Sequence, residues 1–517
     1  MFRLISFKIT SHPVLNGVCI DFVGNDNLDD VSDIYSSVLI GQNGTGKSEI
    51  LSYLSQIFRA LSEFKEKRTE TLEINYKFEL KYRIGENTYE VSSPYIQSVP
   101  KGNIKQKAQL IFYKNKPIAN SAPIKKVGYL EIPDYKKFEI KIKDLELPKR
   151  VLVSSIMLTD KFNSKSTESY KYLGVRTEGS AQSAGTKSHI RRTVDFIIKE
   201  IDDLFFVEKL KELLVFLELK QSFYISYIPR YRNIFMNGEL TVKSFHDSFS
   251  NWEKVFNNRK SEPWGYEHYK KIKNDHELIT QIVDFLNKLS KRFITYGSRG
   301  KFFSYDILND KNIKEDFELV RQLNWLNLIS SPSISIKRNE SKGSYNLESS
   351  SSGESHFITS IIGLLATIKE NSIVLIDEPE ISLHPNWQMQ YIKHLKQTFQ
   401  SFASCHFIIA THSHFIISNL KPATSSVISL TRNSDNSLDA NTIEAETFGW
   451  SIENILYTIF HVKTSRNYYI EQDLEELLSL ANKKTNQKRI ESLIKKIELL
   501  DLPQNDPLRK IISRLKN

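Results

Sequence analysis

The sequence predicts an α/β fold in which a phosphate-binding head, with a mixed sheet and an antiparallel β subdomain, is interrupted by an α-helical insertion. Three observations carry this expectation. Gly41 to Ser48 reads Gly-Gln-Asn-Gly-Thr-Gly-Lys-Ser and fits G-x-x-x-x-G-K-[ST] at every fixed position. From Thr71 to Pro148 the pattern has period two, with Leu72, Ile74, Tyr76, Phe78, Leu80 and Tyr82 alternating with polar residues. Ile373 to Glu378 is four apolar residues followed by Asp377 and Glu378, a buried strand delivering acids to the sheet edge where α/β folds bind ligands.

Taken in order, residues 2–24 predict strands over Arg3 to Thr10 and Val18 to Phe22, joined by a turn through Pro13, Asn16 and Gly17. An acidic loop, Asp26 to Asp33, leads to the apolar Val38, Leu39 and Ile40. Behind the glycine-rich loop, Ile50, Leu51, Leu54, Ile57, Phe58 and Leu61 recur at helical spacing over Glu49 to Leu61. Strand, loop and helix are the context the motif needs. Gly41, Gln42, Asn43, Gly44, Thr45 and Gly46 would turn backbone N–H groups around phosphate, and the helix N-terminus adds a positive dipole end. Lys47 would reach the β- and γ-phosphates of ATP, and Ser48 would hold Mg²⁺.

The β region continues through a hairpin turn at Gly85-Glu86-Asn87 into Tyr89 and Val91, then through Gln109 to Tyr113, Gly128 to Ile132 and Lys137 to Ile142. Val151 to Leu158 predicts a buried strand, and Lys161 to His189, polar and rich in Ser, Gly and Lys, a loop. Ile190 to Leu219 and His276 to Phe293 predict helices. Neither sustains heptads, and turn signals at Pro229, Pro263-Trp264-Gly265 and Gly297-Ser298 argue against long coiled-coil arms. The expected organisation is an N-terminal lobe over 1–160, a mainly helical insertion over 161–330, a C-terminal lobe over 331–450 and basic helices over 451–517.

After a short strand at Ile334 to Ile336 the chemistry returns. Ser351-Ser352-Gly353-Glu354 opens a helix, His356 to Lys369, and small residues with a glycine at a helix N-terminus make an anion site. Asp377 would help hold Mg²⁺ and Glu378 would polarise the attacking water. Phe407 to Ala410 predicts another strand, at whose end His412 can contact a γ-phosphate. From Lys483 to Asn517 ten basic residues stand against four acids. Nucleic-acid contact and a solvated face both fit that run and the net charge of +10.

Composition sets outer bounds. At 517 residues two or three lobes are expected. Cys19 and Cys405 alone make no disulfide framework or metal cluster. No run of about 18 apolar residues predicts a membrane span, and the N-terminus has no signal-peptide pattern. A cytoplasmic protein is the expectation.

These motifs resemble the ABC-type ATPases. Gly41 to Ser48 looks like Walker A, Ser351 to Glu354 like the signature, and Ile373 to Glu378 like Walker B. The Asp377-Glu378-Pro379-Glu380-Ile381-Ser382-Leu383-His384-Pro385 run and Ala410-Thr411-His412-Ser413 are similar to the non-transport, RecF- and OLD-like branch. Ser350 departs from the leucine usual at the start of the signature, and Gln97 is a weak candidate for the Q-loop glutamine. The resemblance implies a head-to-tail homodimer in which each signature caps ATP on the other chain's P-loop, with larger assemblies built from such dimers.

Whole-chain character resembles the ATPase subunits of Septu, of certain retrons and of the PARIS anti-phage systems. Tyr170 to Arg176 (YKYLGVR) and Glu446 to Ser451 look like motifs of such ATPases. A RecF-like DNA clamp is the alternative. Transport is disfavoured by the roughly 300 residues between Lys47 and the signature. No D-x-D follows His412, Asp435 and Asp439 being wrongly spaced, and no H-N-H cluster appears. The expectation is therefore a chain without its own nuclease, working with a separate H-N-H or Toprim effector and in contact with DNA or RNA under one reading.

Overall fold

The computed structural model describes the chain apart from residues 11, 16, 24–32, 67–75, 97–107, 118–124, 128–129, 133–134, 177–185, 231–239, 257–264, 293, 296–300, 310–311, 339–343, 435–436, 444–446, 448, 461–466, 484, 501–505, 507, 510–511 and 514–517. The expectations resting on the acidic loop before Asp33, on Leu72, Ile74, Gln97, Pro263-Trp264, Gly297-Ser298, Asp435, Glu446, Phe448 and Lys484 lie outside the described residues.

The α/β fold is the one found. Seven strands form the central sheet in the order Tyr170–Tyr172, Val151–Ser155, Ile373–Asp377, His406–Ala410, Tyr35–Gly41, Ser425–Arg432, Leu438–Ile443. Every neighbouring pair is parallel except the last. The inner strands are buried along their length, as a parallel sheet covered on both faces requires, and this selects unbroken apolar runs such as IVLI. Register sets the site: Ser155 lies opposite Asp377, Asp377 opposite Ala410, and Ala410 opposite Leu39. Acidic strand, histidine strand and phosphate-loop strand therefore end along one edge. Helix Lys47–Lys65 leaves that edge and buries Ile50, Leu51, Leu54, Ile57, Phe58 and Leu61 against the sheet.

The antiparallel subdomain is also present, as six strands in the order Cys19–Asp21, Phe2–Ile9, Phe78–Ile84, Asn87–Ile96, Ala108–Pro117, Tyr135–Ile140. The hairpin at Gly85 is formed, with Gly85 at φ 59°. One apolar core, running from Phe2, Leu4 and Phe7 through Ile50 and Phe58 to Leu39 and Ile408, joins the two sheets.

The insertion contains helices Thr186–Glu200, Leu204–Phe216, Val242–Phe256, Tyr266–Ile272, His276–Ser290 and Asn312–Trp325. They are accompanied by a five-stranded sheet, ordered Ile294–Thr295, Lys301–Asp306, Leu219–Tyr227, Ser333–Arg338, Ser344–Asn346, of which the sequence reading contained only the strand at Ile334 to Ile336. Leu219–Tyr227 does alternate, with Phe223, Ile225 and Tyr227 buried, but it follows a helix directly and reads as its tail. Within the segment read as a loop, Tyr170–Tyr172 is an edge strand of the central sheet.

Residues Gly449–Asn517 form a separate compact unit. Its helices are Ile452–Thr458, Tyr468–Lys483 and Gln487–Glu498, and Ile490, Leu493, Ile494 and Ile497 supply an i, i+3, i+4, i+7 stripe to a core shared with Leu477, Leu508 and Ile512. Among the described residues no helix is long and apolar enough to cross a membrane.

Candidate nucleotide site

The glycine-rich loop turns between strand Tyr35–Gly41 and helix Lys47–Lys65. Gly46 caps the helix at φ 88°, and a Cβ there would come within 2.5 Å of the Leu15 side chain, so both conformation and space demand glycine. Lys47 is 4% exposed. Its ammonium donates to the carbonyls of Gly41 (2.9 Å) and Gln42 (3.4 Å) and lies 2.7 Å from His412 Nε2. Burial pulls its pKa down, and the Glu378, Glu380 and Asp377 carboxylates oppose that pull.

The acidic strand meets the loop through Ser48, whose hydroxyl donates to Asp377 Oδ1 at 2.8 Å. Asp377 is 1% exposed and its Oδ2 is buried without a hydrogen-bond partner. Burial pushes its pKa up to about 7, with the Ser48 bond opposing and the Glu378 and Asp160 charges adding. A buried carboxylate with an orphaned oxygen beside a hydroxyl fits a hard divalent cation, which would satisfy both groups. The residues expected to hold Mg²⁺ thus suit it.

Glu378 has φ 50°, in the left-handed region, and its N–H donates to Ala410 O at 2.9 Å. Holding a non-glycine residue there costs on the order of 1–3 kcal/mol and marks a position fixed by its surroundings. Its Oε1 lies 3.1 Å from His412 Nε2. Burial raises the Glu378 pKa, but hydrogen bonds from His412 and Glu380 and the charge of Lys47 outweigh it and hold the carboxyl below its ordinary value. Glu380 goes the other way, pushed up to about 8 by burial and by Glu378. The two neighbouring carboxyls are thus pushed in opposite directions, Glu378 toward its ionised and Glu380 toward its protonated form.

Glu380 is a functional residue the sequence reading quoted without a role. Its Oε1 accepts from the His412 backbone N–H at 2.6 Å, tying the acidic loop to the histidine loop. Gln388 was missed altogether. Its side-chain NH₂ donates to Leu383 O (2.9 Å) and its oxygen accepts from Ser413 (2.6 Å), so one amide braces both loops. The signal for Glu380 was in the D-E-P-E run itself, and Gln388 offered none.

The structure brings Lys47, Ser48, Asp377, Glu378 and His412 together. The serine-rich segment goes elsewhere: Ser351 caps helix Ser352–Thr367 by accepting from Glu354 N (3.2 Å), and Gly353 packs on the acidic loop. A Cβ at Gly353 would lie 2.0 Å from Ser382 O. The Ser352 side chain is outside the described residues. Among the described residues no group of three His, Cys, Asp or Glu could hold a metal by itself.

The chain is similar to several known proteins. "Septu protein PtuA" of Bacillus thuringiensis is 25% identical over 249 residues, covering 45% of this chain and 61% of that protein. The chain thus spans about three fifths of that relative's length. Among solved structures, an Smc head domain of Pyrococcus furiosus, bound to the C-terminal domain of ScpA, is 13% identical over 90% of this chain and all of that one, with a TM-score of 0.31. An SMC head domain of Thermotoga maritima is 11% identical over 86% of this chain and all of that one, with a TM-score of 0.29. A family described as AAA ATPase domain matches residues 26–417, well over half of the chain, and the chain belongs to that family of ATPases.

Proposed function

We propose that this chain is the ATP-hydrolysing subunit of a bacterial anti-phage defence system and gates a separate effector nuclease. The observation that carries the hydrolytic part is the arrangement at the sheet edge: Glu378, held in a left-handed turn, lies 3.1 Å from His412, which lies 2.7 Å from the Lys47 ammonium, while Ser48 bonds Asp377. Lys47 would bind the β/γ-phosphates, and Ser48 and Asp377 would hold Mg²⁺, which supplies charge neutralisation on the phosphates. Glu378 would accept a proton from the attacking water, Glu380 would keep Glu378 and the His412 loop in register, and His412 would orient the γ-phosphate. The defence part rests on the likeness to the Septu protein and on the D-E-P-E-x-x-L-H-P and A-T-H-S runs.

The catalytic unit in this reading is a homodimer, because Ser351 and Gly353 are committed to the helix start and the acidic loop rather than to the chain's own Lys47. Mixing Lys47→Ala chains with Ser351→Asp chains tests it. Aspartate is a good N-cap, so helix Ser352–Thr367 survives while a negative charge is set against phosphate. Each variant alone should be inactive, and an equal mixture should recover about a quarter of the parental rate, since each mixed dimer keeps one intact pair. No recovery from mixed dimers isolated with two affinity tags rejects the composite site. Gly353→Asp is unsuitable, because its side chain would strike Ser382 O in the same chain.

A further inference from the structure

Tyr170 to Arg176, singled out in the sequence, has no role in the site described so far. In the structure it holds Asp160. The Tyr172 hydroxyl donates to Asp160 Oδ2 at 2.5 Å, the Arg176 guanidinium pairs with Oδ1, and the Phe162 N–H donates to Oδ1 at 3.1 Å. The Asp160 side chain is fully buried, so it needs all three partners. Asp160 lies five residues beyond Ser155, which is paired with Asp377, and its charge reaches the Asp377 carboxyl.

The far side of the same group is gripped by the insertion. Arg192, on helix Thr186–Glu200, donates to the carbonyls of Gly174 and of Tyr172 (3.4 Å) and to His189 Nδ1 (3.0 Å). With Nδ1 accepting, His189 carries its proton on Nε2, 2.5 Å from Thr359 Oγ1, and Thr359 donates onward to Ser355 O at 2.8 Å. Ser355 is in the first turn of helix Ser352–Thr367, two residues after Gly353. His189 is fully buried and held neutral by that burial, which suits a fixed tautomer with one donor and one acceptor.

We infer that Asp160, Tyr172, Arg176, Arg192 and His189 are positioning residues for the ATPase: one hydrogen-bonded chain that sets the strand end at Asp377 and the start of helix Ser352–Thr367 relative to each other. This rests on the ATPase reading above. It links the segment that follows strand Val151–Ser155, the neighbour of the strand ending in Asp377, to the helix start proposed to face the second chain's nucleotide. None of the five touches substrate, so the effect passes through geometry. The hydroxyls of Tyr172 and Thr359 each donate to one acceptor along the chain, and loss of either leaves its neighbour unpaired rather than merely loosened.

Tyr172→Phe and Thr359→Val each remove one hydroxyl at nearly constant volume. Each should lower kcat by roughly 2- to 30-fold, the range for coupling residues that touch no ligand, with the Kd for a fluorescent ATP analogue unchanged and the melting temperature lowered by several degrees at most, the chain staying folded at the assay temperature. Thr359→Ser, which keeps the hydroxyl, should restore the rate. The double variant should be less impaired than the product of the two single effects, because either break already uncouples the two ends. Unchanged kcat in both single variants overturns the inference, and so does a strictly multiplicative double variant. Lowered kcat with equally weakened nucleotide binding assigns the residues to general stability and also overturns it. Failure of the ATPase reading would show differently, as turnover that survives Lys47→Ala.

Discussion

The acidic loop Asp377–Glu380 and the C-terminal helices are both rich in charge, and they treat it in opposite ways. In the loop, Asp377 and Glu378 are buried, Asp377 Oδ2 is left without a partner and the backbone is left-handed at Glu378. In the C-terminal unit, Arg489 forms two 2.8 Å bonds to exposed Glu476, and Lys496 lies 2.7 Å from Asp473. Burying a carboxylate is costly and an exposed ion pair contributes little, so the loop holds charge at a cost that the exposed Arg489–Glu476 pair does not bear. The basic count of the C-terminal segment therefore overstates its free positive field. Lys488 and Lys495 are what remains on helix Gln487–Glu498 once Arg489 and Lys496 are paired.

The largest expected effect is at Glu378. Glu378→Gln should bind ATP and lower turnover about 100-fold or more, the scale of a lost general base. Single-turnover hydrolysis near the parental rate would move the base to another residue and weaken the contrast at its centre.

Glu380→Gln should be milder, about tenfold in kcat, since it removes the ionisable group beside Glu378 and keeps an acceptor for the His412 N–H. It also has a pH signature. Glu380 keeps its proton in the folded chain up to about pH 8, whereas the unfolded chain releases it in the ordinary carboxylate range. The folded state binds more protons in that window, so nucleotide-free stability falls as pH rises through it, by up to about 1.4 kcal/mol per pH unit. Melting curves between pH 6 and 8.5 should show this fall in the parent and a shallower one in Glu380→Gln. Identical slopes would mean the proton is not on Glu380.

The smallest effects belong to the other side of the comparison. Lys488→Glu with Lys495→Glu should change nucleic-acid binding less than about twofold at 150 mM salt, because two charges make a weak phosphate footprint. Arg489→Ala should shift the melting temperature by no more than roughly 2 °C, as exposed ion pairs do. A large, salt-dependent loss of DNA binding in the double reversal would restore the clamp reading.

Much of this was legible in the sequence. The phosphate loop, the acidic strand and the histidine strand announce themselves because a covered parallel strand must be apolar throughout and its polar residues collect at one end. The antiparallel subdomain was readable because Phe78, Leu80 and Tyr82 sit on its buried face at every second position. The insertion's sheet was not, since Leu219–Tyr227 pairs with Ser333–Arg338 more than a hundred residues on and carries little local signal. Within the site, single residues were legible and their coupling was not. Nothing local says that Glu380 reaches the His412 backbone, that Gln388 spans two loops, or that Gly353 is a glycine because of Ser382.

The place of strand Tyr35–Gly41 in the sheet has a consequence for how the protein is made. Both its neighbours, His406–Ala410 and Ser425–Arg432, are encoded roughly 370 residues or more downstream. At about 5–20 residues per second, the ribosome needs on the order of 20–75 s to supply them. For nearly all of that interval Lys47 has neither flanking strand nor His412, and the Asp377 and Glu378 carboxylates are made only shortly before its end. On the reading proposed above, a nascent chain would not turn over ATP through this site until residues 406–432 had been made. Translation products that stop before them would be inert for the same reason, which is a useful property in a protein proposed to control a toxic partner.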